Sequence, residues 1–336
     1  MAREGRTGKE GNARSVQQVA ENSRGAGGQG RSLAWGYSHG WAMTAPDFAI
    51  VVVNYGSHKL VAQNLSAQAV ADSGALVVIV DNFHSAPERA AISDLCRDRG
   101  WALVALDTNS GFGAGVNRGV EEAIRRGVHV FVALNPDATA DPEALRSLAE
   151  HVRSRPQSLV APLIVDSAGR PFFRGATVSL RTGEIRSGWQ VGDSDPEWKN
   201  WLTGACLAFD KTAFEATGGM DEDYFLYWED VDFCRRGVAA GRALDLRLDI
   251  TVVHDEGGTH TAAGSRAKSP LYYYYNCRNR LLFGRRHAAN YWRHWVLATP
   301  RQSTRIWLRG GKRQLFTEPA GALAAVRGSL VGLFAA

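Results

Sequence analysis

The chain has 336 residues, 45% of them hydrophobic, and a formal charge of +5 from 39 Lys/Arg against 34 Asp/Glu, enough apolar content for a sizeable core in one large or two ordinary domains. No apolar run approaches the 18 residues of a membrane-spanning helix, and the first residues lack the apolar segment of a secretory signal. Cys96, Cys206, Cys234 and Cys277 show no C-x-x-C or metal-finger spacing, which predicts unpaired thiols buried as small apolar residues in a cytoplasmic protein.

Residues 1–45 are rich in Gly, Arg, Ser, Gln and Asn without apolar periodicity, the composition of a disordered tail. Met43 stands just before the first strand-like run and offers an alternative start. From Phe48 to Tyr55 the sequence is almost continuously β-branched, the mark of a strand buried on both faces of a parallel sheet. A helix over about 58–71 and a second buried strand, Ala75–Asn82, follow. Helix 87–99, strand 101–106, helix 115–126, strand 128–134, helix 141–153 and strand 158–165 continue the alternation. That rhythm predicts βαβ crossovers and an open α/β sheet, whose ligands sit at the carboxyl ends of the strands. The strand ends are polar: Asn54-Tyr55, Asp81-Asn82, Thr108-Asn109-Ser110-Gly111 and Asn135-Pro136-Asp137.

After residue 165 the rhythm changes to short β-like pieces, with a hairpin at Arg181–Glu184. Trp201–Phe209 reads as one strand, and Lys211–Thr217 as a short helix closed by Gly218-Gly219. The acidic block Met220–Asp232 leads into a helix ending near Gly241, and a strand to Val253 delivers His254. No internal repeat is visible.

Charge is unevenly distributed. Residues 1–45 carry six Lys/Arg and three Asp/Glu, and residues 277–336 carry eleven Lys/Arg against Glu318 alone. The +3 and +10 of these ends leave −8 for residues 46–276. The basic end suits nucleic acid or an anionic membrane; because the predicted cleft lies in the acidic body, nucleic acid is not the expected partner. Trp292, Trp295 and Trp307 stand among eight cations of this end, and Leu323, Val326, Leu330, Leu333 and Phe334 share one helical face, a pattern that fits equally a peripheral membrane-binding helix and an ordinary amphipathic helix packed on the body.

Several segments carry candidate chemistry. Ser110–Gly119 is glycine-rich, but it follows the third strand and lacks the G-x-G-x-x-G spacing, so it is no dinucleotide loop. Its glycines still allow close backbone approach to a phosphate at a helix start. Asp137, at a buried strand end, is placed to hold Mg²⁺ or Mn²⁺ against a diphosphate, or to cap the next turn. Glu229 and Asp230 stand at a helix start beside Tyr227 and Trp228, where one carboxylate can act as a general base. His254 can add an imidazole ligand.

In their joint order these segments resemble the family-2 glycosyltransferases of the GT-A fold, particularly rhamnosyltransferase-like members. The resemblance rests on Val52–Ser57, Val80–Asn82, Asn109–Asn117, Leu134–Asp137, Gly204–Cys206, Gly218–Arg235, Val253-His254 and Tyr275–Arg280, and covers roughly residues 47–290. It implies a Rossmann-like open mixed sheet flanked by helices over 46–275, with a nucleotide-sugar half at 46–165 and an acceptor half at 166–275. A basic amphipathic helical region would follow at 276–336. It implies that Asn54, Tyr55, Asp81, Asn109, Gly111, Asn117 and Asn135 bind the donor. Trp201, Gly204 and Glu229 would lie near the acceptor, Asp137 and His254 would bind metal, and Asp230 would be the catalytic base. The implied activity is inverting transfer from a nucleoside-diphosphate sugar, dTDP-L-rhamnose as first choice, to a hydroxyl of a glycan or lipid-linked glycan in cell-envelope synthesis. Tailoring of a small secondary metabolite, or a non-catalytic nucleotide- or nucleic-acid-binding role, are the alternatives. Here N-P-D stands where the family's D-x-D has a further carboxylate, and the loop after Asn82 lacks an acidic residue after its serine.

Overall fold

The computed structural model describes residues 46–190, 195–254, 268–311 and 319–334; the expectations for the tail at 1–45 lie outside them. The central sheet has the order β3-β2-β1-β4-β11-β6-β12-β5. Its members are β1 (Ala49–Asn54), β2 (Leu76–Asp81), β3 (Ala102–Ala105), β4 (Val130–Leu134), β5 (Ala138–Thr139), β6 (Ser158–Val165), β11 (Cys206–Asp210) and β12 (Ala243–His254), with β7 (Pro171–Phe173) paired to β6. The four strands from β3 to β4 are parallel, β11 is antiparallel to β4 and β6, and β12 is parallel to β6. This is the mixed sheet expected from the sequence.

β1 is buried at every position because each of its faces has a cover. Ile50 and Val52 join a core with Val61 of α1 (His58–Asn64), Val70 of α2 (Ala67–Ser73), Ile92 of α3 (Ala86–Arg99) and Leu148 of α5 (Pro142–Ser154). Ala49, Val51 and Val53 point the other way, to Val116 and Val120 of α4 (Phe112–Arg125). Small residues bring α4 close: a Cβ added at Gly119 would collide with Val51. The chain runs outward from β1 through β2 to β3, then returns to β4 on the other flank of β1. A crevice therefore opens at the carboxyl ends of β1 and β4, where ligands of open α/β sheets bind.

A second sheet of three antiparallel strands has β8 (Ala176–Ser179) between β10 (Trp198–Trp201) and β9 (Ile185–Ser187), the hairpin expected around Arg181–Glu184 joining β8 to β9. The single strand expected at Trp201–Phe209 is instead the end of β10 and the start of β11, in different sheets, with the chain turning at Thr203–Ala205. The helix expected at 58–71 is broken at Leu65, whose ψ of 78° leaves the helical region. Helix α4 begins three residues earlier than its periodicity suggested, because Gly111 at its cap adopts φ 89°.

Beyond β11 come α6 (Lys211–Thr217) and α7 (Glu229–Ala239), then α8 (Pro270–His287), α9 (Trp292–Leu308) and α10 (Pro319–Phe334). Helix α8 runs unbroken through the boundary drawn at 275/276. Trp295, one of the three tryptophans among the cations of the basic end, is fully buried: its Nε1 donates to Leu180 O at 2.7 Å and its ring lies on Gly183 and Gly284. Arg280, also buried, donates to Thr299 Oγ1 and to the carbonyls of Trp295 and Thr182. All four cysteines are free and buried.

Candidate active site

The crevice beyond β1 and β4 holds a cavity of about 450 Å³. Its walls include Tyr55, Asn109, Gly111, Asn135, Asp137 and His254, six of the residues singled out from the sequence. Parallel pairing sets Asn54 beside Asp81; both are completely buried, next in sequence to Tyr55 and Asn82 of the cavity wall. Asn54 accepts from the backbone N–H and hydroxyl of Ser57 at 3.1 and 2.9 Å. Asp81 Oδ2 takes the Arg89 guanidinium at 2.6 Å. The second atom of each, Asn54 Nδ2 and Asp81 Oδ1, is buried without a partner. Two adjacent unsatisfied polar atoms at a strand-end crevice are costly unless a ligand completes them. Tyr55 stands at the rim, edge-on to His84 at 5.0 Å.

On the opposite wall, β5 pairs with the end of β12, setting Ala138 against His254. Asp137 Oδ1 therefore faces His254 Nε2 at 3.0 Å, and Asn135 Nδ2 lies 3.3 Å from the same nitrogen. Among the described residues no three His, Cys, Asp or Glu side chains converge as a metal cage. The pair nonetheless fits a hard divalent cation that takes its remaining ligands from substrate oxygens and water, as Mg²⁺ commonly does. His254 Nδ1 is buried and unpartnered.

Asp230 does not line the cavity. It lies next to it, beyond Phe112 and the Thr203–Ala205 turn, where its Oδ2 accepts the Gly204 N–H at 3.0 Å and its Oδ1 the Val231 N–H at 2.8 Å. Burial raises its carboxyl well above the usual aspartate range, although the Gly204 and Val231 N–H groups pull the other way. Glu229 is pushed up further, first by burial and then by the charge of Asp230, and its Oε2 has no partner. Both carboxyls are raised, Glu229 the more, so Asp230 is the readier of the two to ionise.

Three expected site residues lie outside the cavity lining. Asn117, expected at the donor, is buried away from the cavity and donates to Met220 O while accepting Met220 N–H, both at 2.8 Å. Gly204 contributes its N–H to Asp230. Trp201 is half-buried where three core clusters meet, with its ring 5.4 Å from Phe173 and its Nε1 unpartnered.

Nothing in the sequence pattern showed the backbone of residues 225–228, inside the acidic block and just before α7. Phe225, Tyr227 and Trp228 all have positive φ, at 59°, 66° and 74°, a conformation that costs a non-glycine residue about 1–3 kcal/mol. Asn279 of α8, fully buried, holds this segment: its Nδ2 lies 2.7–2.8 Å from the carbonyls of Tyr224, Leu226 and Tyr227. Phe112 N–H binds Phe225 O at 2.8 Å from the other side, and a Cβ at Gly111 would overlap that carbonyl. Below it, Asp232 accepts from Arg236, from His287 at 2.7 Å and from the Tyr224 hydroxyl. Burial alone would raise the Asp232 carboxyl; His287 and Arg236 together hold it below its ordinary value. The only prior sign of this clamp was the Arg-Asn pair within Tyr275–Arg280. Phe225, Leu226, Tyr227, Tyr272 and Tyr275 close the cavity opposite Tyr55.

The model of the family described as "Glycosyl transferase family 2" matches residues 44–215. The chain is 26% identical over 244 residues to the low-salt glycan biosynthesis hexosyltransferase Agl10 of Haloferax volcanii, covering 70% of this chain and 75% of that one. It is 22% identical over 242 residues to the dTDP-rhamnosyl transferase RfbF of Shigella flexneri, covering 70% and 79%. Among solved structures, the mannosyltransferase PcManGT of Pyrobaculum calidifontis, in complex with GDP-Man and Mn²⁺, superposes with a TM-score of 0.51 at 14% identity, covering 87% of this chain and 88% of that one.

Proposed function

The chain belongs to glycosyl transferase family 2, and from that premise we propose that the cavity between Tyr55 and His254 receives a nucleoside-diphosphate sugar whose glycosyl group is passed, with inversion, to an acceptor hydroxyl. The fold is GT-A, and the chain is a glycosyltransferase of the rhamnosyltransferase-like branch. The observation that carries the reading is one strand-end cavity lined both by Tyr55, Asn82 and Asn109 and by the Asp137–His254 pair, with unsatisfied buried polar atoms on Asn54 and Asp81, the residues preceding Tyr55 and Asn82. Asn54 and Asp81 bind the nucleoside end beside Tyr55. Asp137 and His254 would hold Mg²⁺ or Mn²⁺. That cation, when bound, offsets charge on the departing diphosphate. Asp230 takes the proton of the acceptor hydroxyl as its oxygen bonds to the anomeric carbon, and the bond to the diphosphate breaks with its electron pair leaving on the nucleotide.

The first-choice donor is dTDP-L-rhamnose, because RfbF is a dTDP-rhamnosyl transferase and aligns over most of both chains. The acceptor of choice is a glycan or lipid-linked glycan of the cell envelope, presented at the inner face of the plasma membrane; a protein of Mycobacterium tuberculosis, 27% identical over 164 residues that cover 41% of this chain and 53% of that one, is an N-acetylglucosaminyl-diphospho-decaprenol L-rhamnosyltransferase.

A thermal-shift screen of nucleotide sugars with Mn²⁺, Mg²⁺ or EDTA tests the donor reading. One donor should raise the melting temperature only when metal is present, and Asp137→Ala should remove that dependence. Equal shifts with and without metal in wild type would exclude the cation from the site.

A further inference from the structure

Helix α10 is turned inside out for a helix bathed in water. The residues it presents to the protein are small: Gly321, Ala325, Gly328, Ser329 and Gly332. They bring it so near α8 that a Cβ at Gly328 would overlap the Tyr274 carbonyl, and one at Gly332 would lie 2.7 Å from that of Arg278. Its large apolar residues point outward, with Leu323 68%, Leu330 53% and Phe334 83% exposed; Val326 lies between them at 56%. Leu297 of the adjoining α9 is 80% exposed. A helix on a water-facing surface turns its large apolar side chains to the core. Close approach through small residues, with large apolar groups outward, is how helices pack in lipid.

Within the described residues of α8, α9 and α10 the charge has one sign. Residues 268–311 and 319–334 contain no Asp or Glu, whereas Arg293, Arg301, Arg309 and Arg327 are exposed on α9, α10 and the residue following α9. Sixteen residues of α10 span about 24 Å at 1.5 Å per residue, short of a hydrocarbon core of about 30 Å, and no described helix is long and apolar enough to cross a membrane.

We propose that the α9–α10 face docks on an anionic phospholipid bilayer, with α10 lying along the interface. Leu323, Val326, Leu330 and Phe334 immerse in the acyl boundary, and the arginines meet the phosphates. The assignment deepens the membrane-proximal part of the transferase reading, yet vesicle binding needs no donor, so either can fail alone.

The test is co-sedimentation of the full chain with phosphatidylcholine vesicles, with and without phosphatidylglycerol, for wild type and for the double variant Leu330→Glu/Phe334→Glu. Both positions are exposed, so the variant should keep the wild-type melting temperature. Wild type should bind the anionic vesicles, less so at high salt, and the variant should lose roughly tenfold or more of that partition. Equal binding by the variant, or no wild-type binding to either vesicle, overturns the proposal. So does a dimer in solution that the same substitutions disperse while vesicles capture neither form, since a second copy would then be the occupant of the face.

Discussion

Asp230→Asn is expected to lower the rate of glycosyl transfer by roughly 10²–10⁴, the range over which a positioned general base acts, while leaving the metal-dependent donor shift in place. The separation follows from the geometry. Asp230 stands beyond Phe112, outside the cavity that Tyr55, Asp137 and His254 line, so its loss removes a proton acceptor without removing a donor contact. The pH dependence of wild type has a definite sign. Only the ionised carboxylate can accept a proton, and burial holds the Asp230 carboxyl above the usual aspartate range. Activity should therefore be full above that raised value and fall away as the pH drops through it, at a higher pH than an exposed aspartate would give. An Asn variant with near wild-type turnover, measured as nucleoside diphosphate released in the presence of acceptor, would move the base elsewhere.

Asn279→Ala carries the second large effect, and it acts at a distance from the chemistry. The segment Phe225–Trp228 stores strain at three non-glycine residues, and one buried amide nitrogen, with two hydrogens to donate, reaches its Leu226 and Tyr227 carbonyls and that of the preceding Tyr224. Removing that amide leaves buried acceptors unpaired, at about 1–3 kcal/mol for such a group. The strained segment then relaxes, and with it Phe225, Leu226 and Tyr227 in the cavity wall. The expected result is a lower melting temperature together with a donor shift that weakens at saturating metal, and faster amide hydrogen exchange confined to residues 224–230. A purely structural role would lower the melting temperature alone and leave donor affinity unchanged.

What could be read from the sequence and what could not divide along a physical line. Strands buried on both faces announce themselves through β-branched runs, so β1, β2 and the open sheet they belong to were visible from Phe48–Tyr55 and Ala75–Asn82. Polar residues at strand ends gave the crevice, and Asp137 with His254, 117 residues apart in sequence, are brought to 3.0 Å by the pairing of β5 with β12. Side-chain commitments were not visible in the same way. Asn117 and Asn54 look alike as polar residues near glycines and strand ends, but Asn117 serves the backbone of Met220 while Asn54, next to Tyr55 of the cavity wall, keeps an unsatisfied amide. Trp201–Phe209 is apolar throughout, and its division between two sheets depends on the turn at Gly204, which long-range contact with Asp230 holds. The positive φ angles at Phe225, Tyr227 and Trp228 left no mark either, because aromatic residues give no local sign of a left-handed backbone and the clamp that holds them comes from α8, some fifty residues later. Trp295 stands among arginines in the sequence, and only the approach of Gly183 and Gly284 shows why it is buried.

The central claim is that the strand-end cavity is the donor site. A crystal structure with a nucleoside diphosphate and Mn²⁺ tests it most directly. The base should lie beside Tyr55, next to Asn54 and Asp81, with the diphosphate and cation at Asp137 and His254. A nucleotide bound elsewhere, such as the cavity lined by Trp189, Lys199, Arg235 and Arg242, with the strand-end crevice empty, would contradict it.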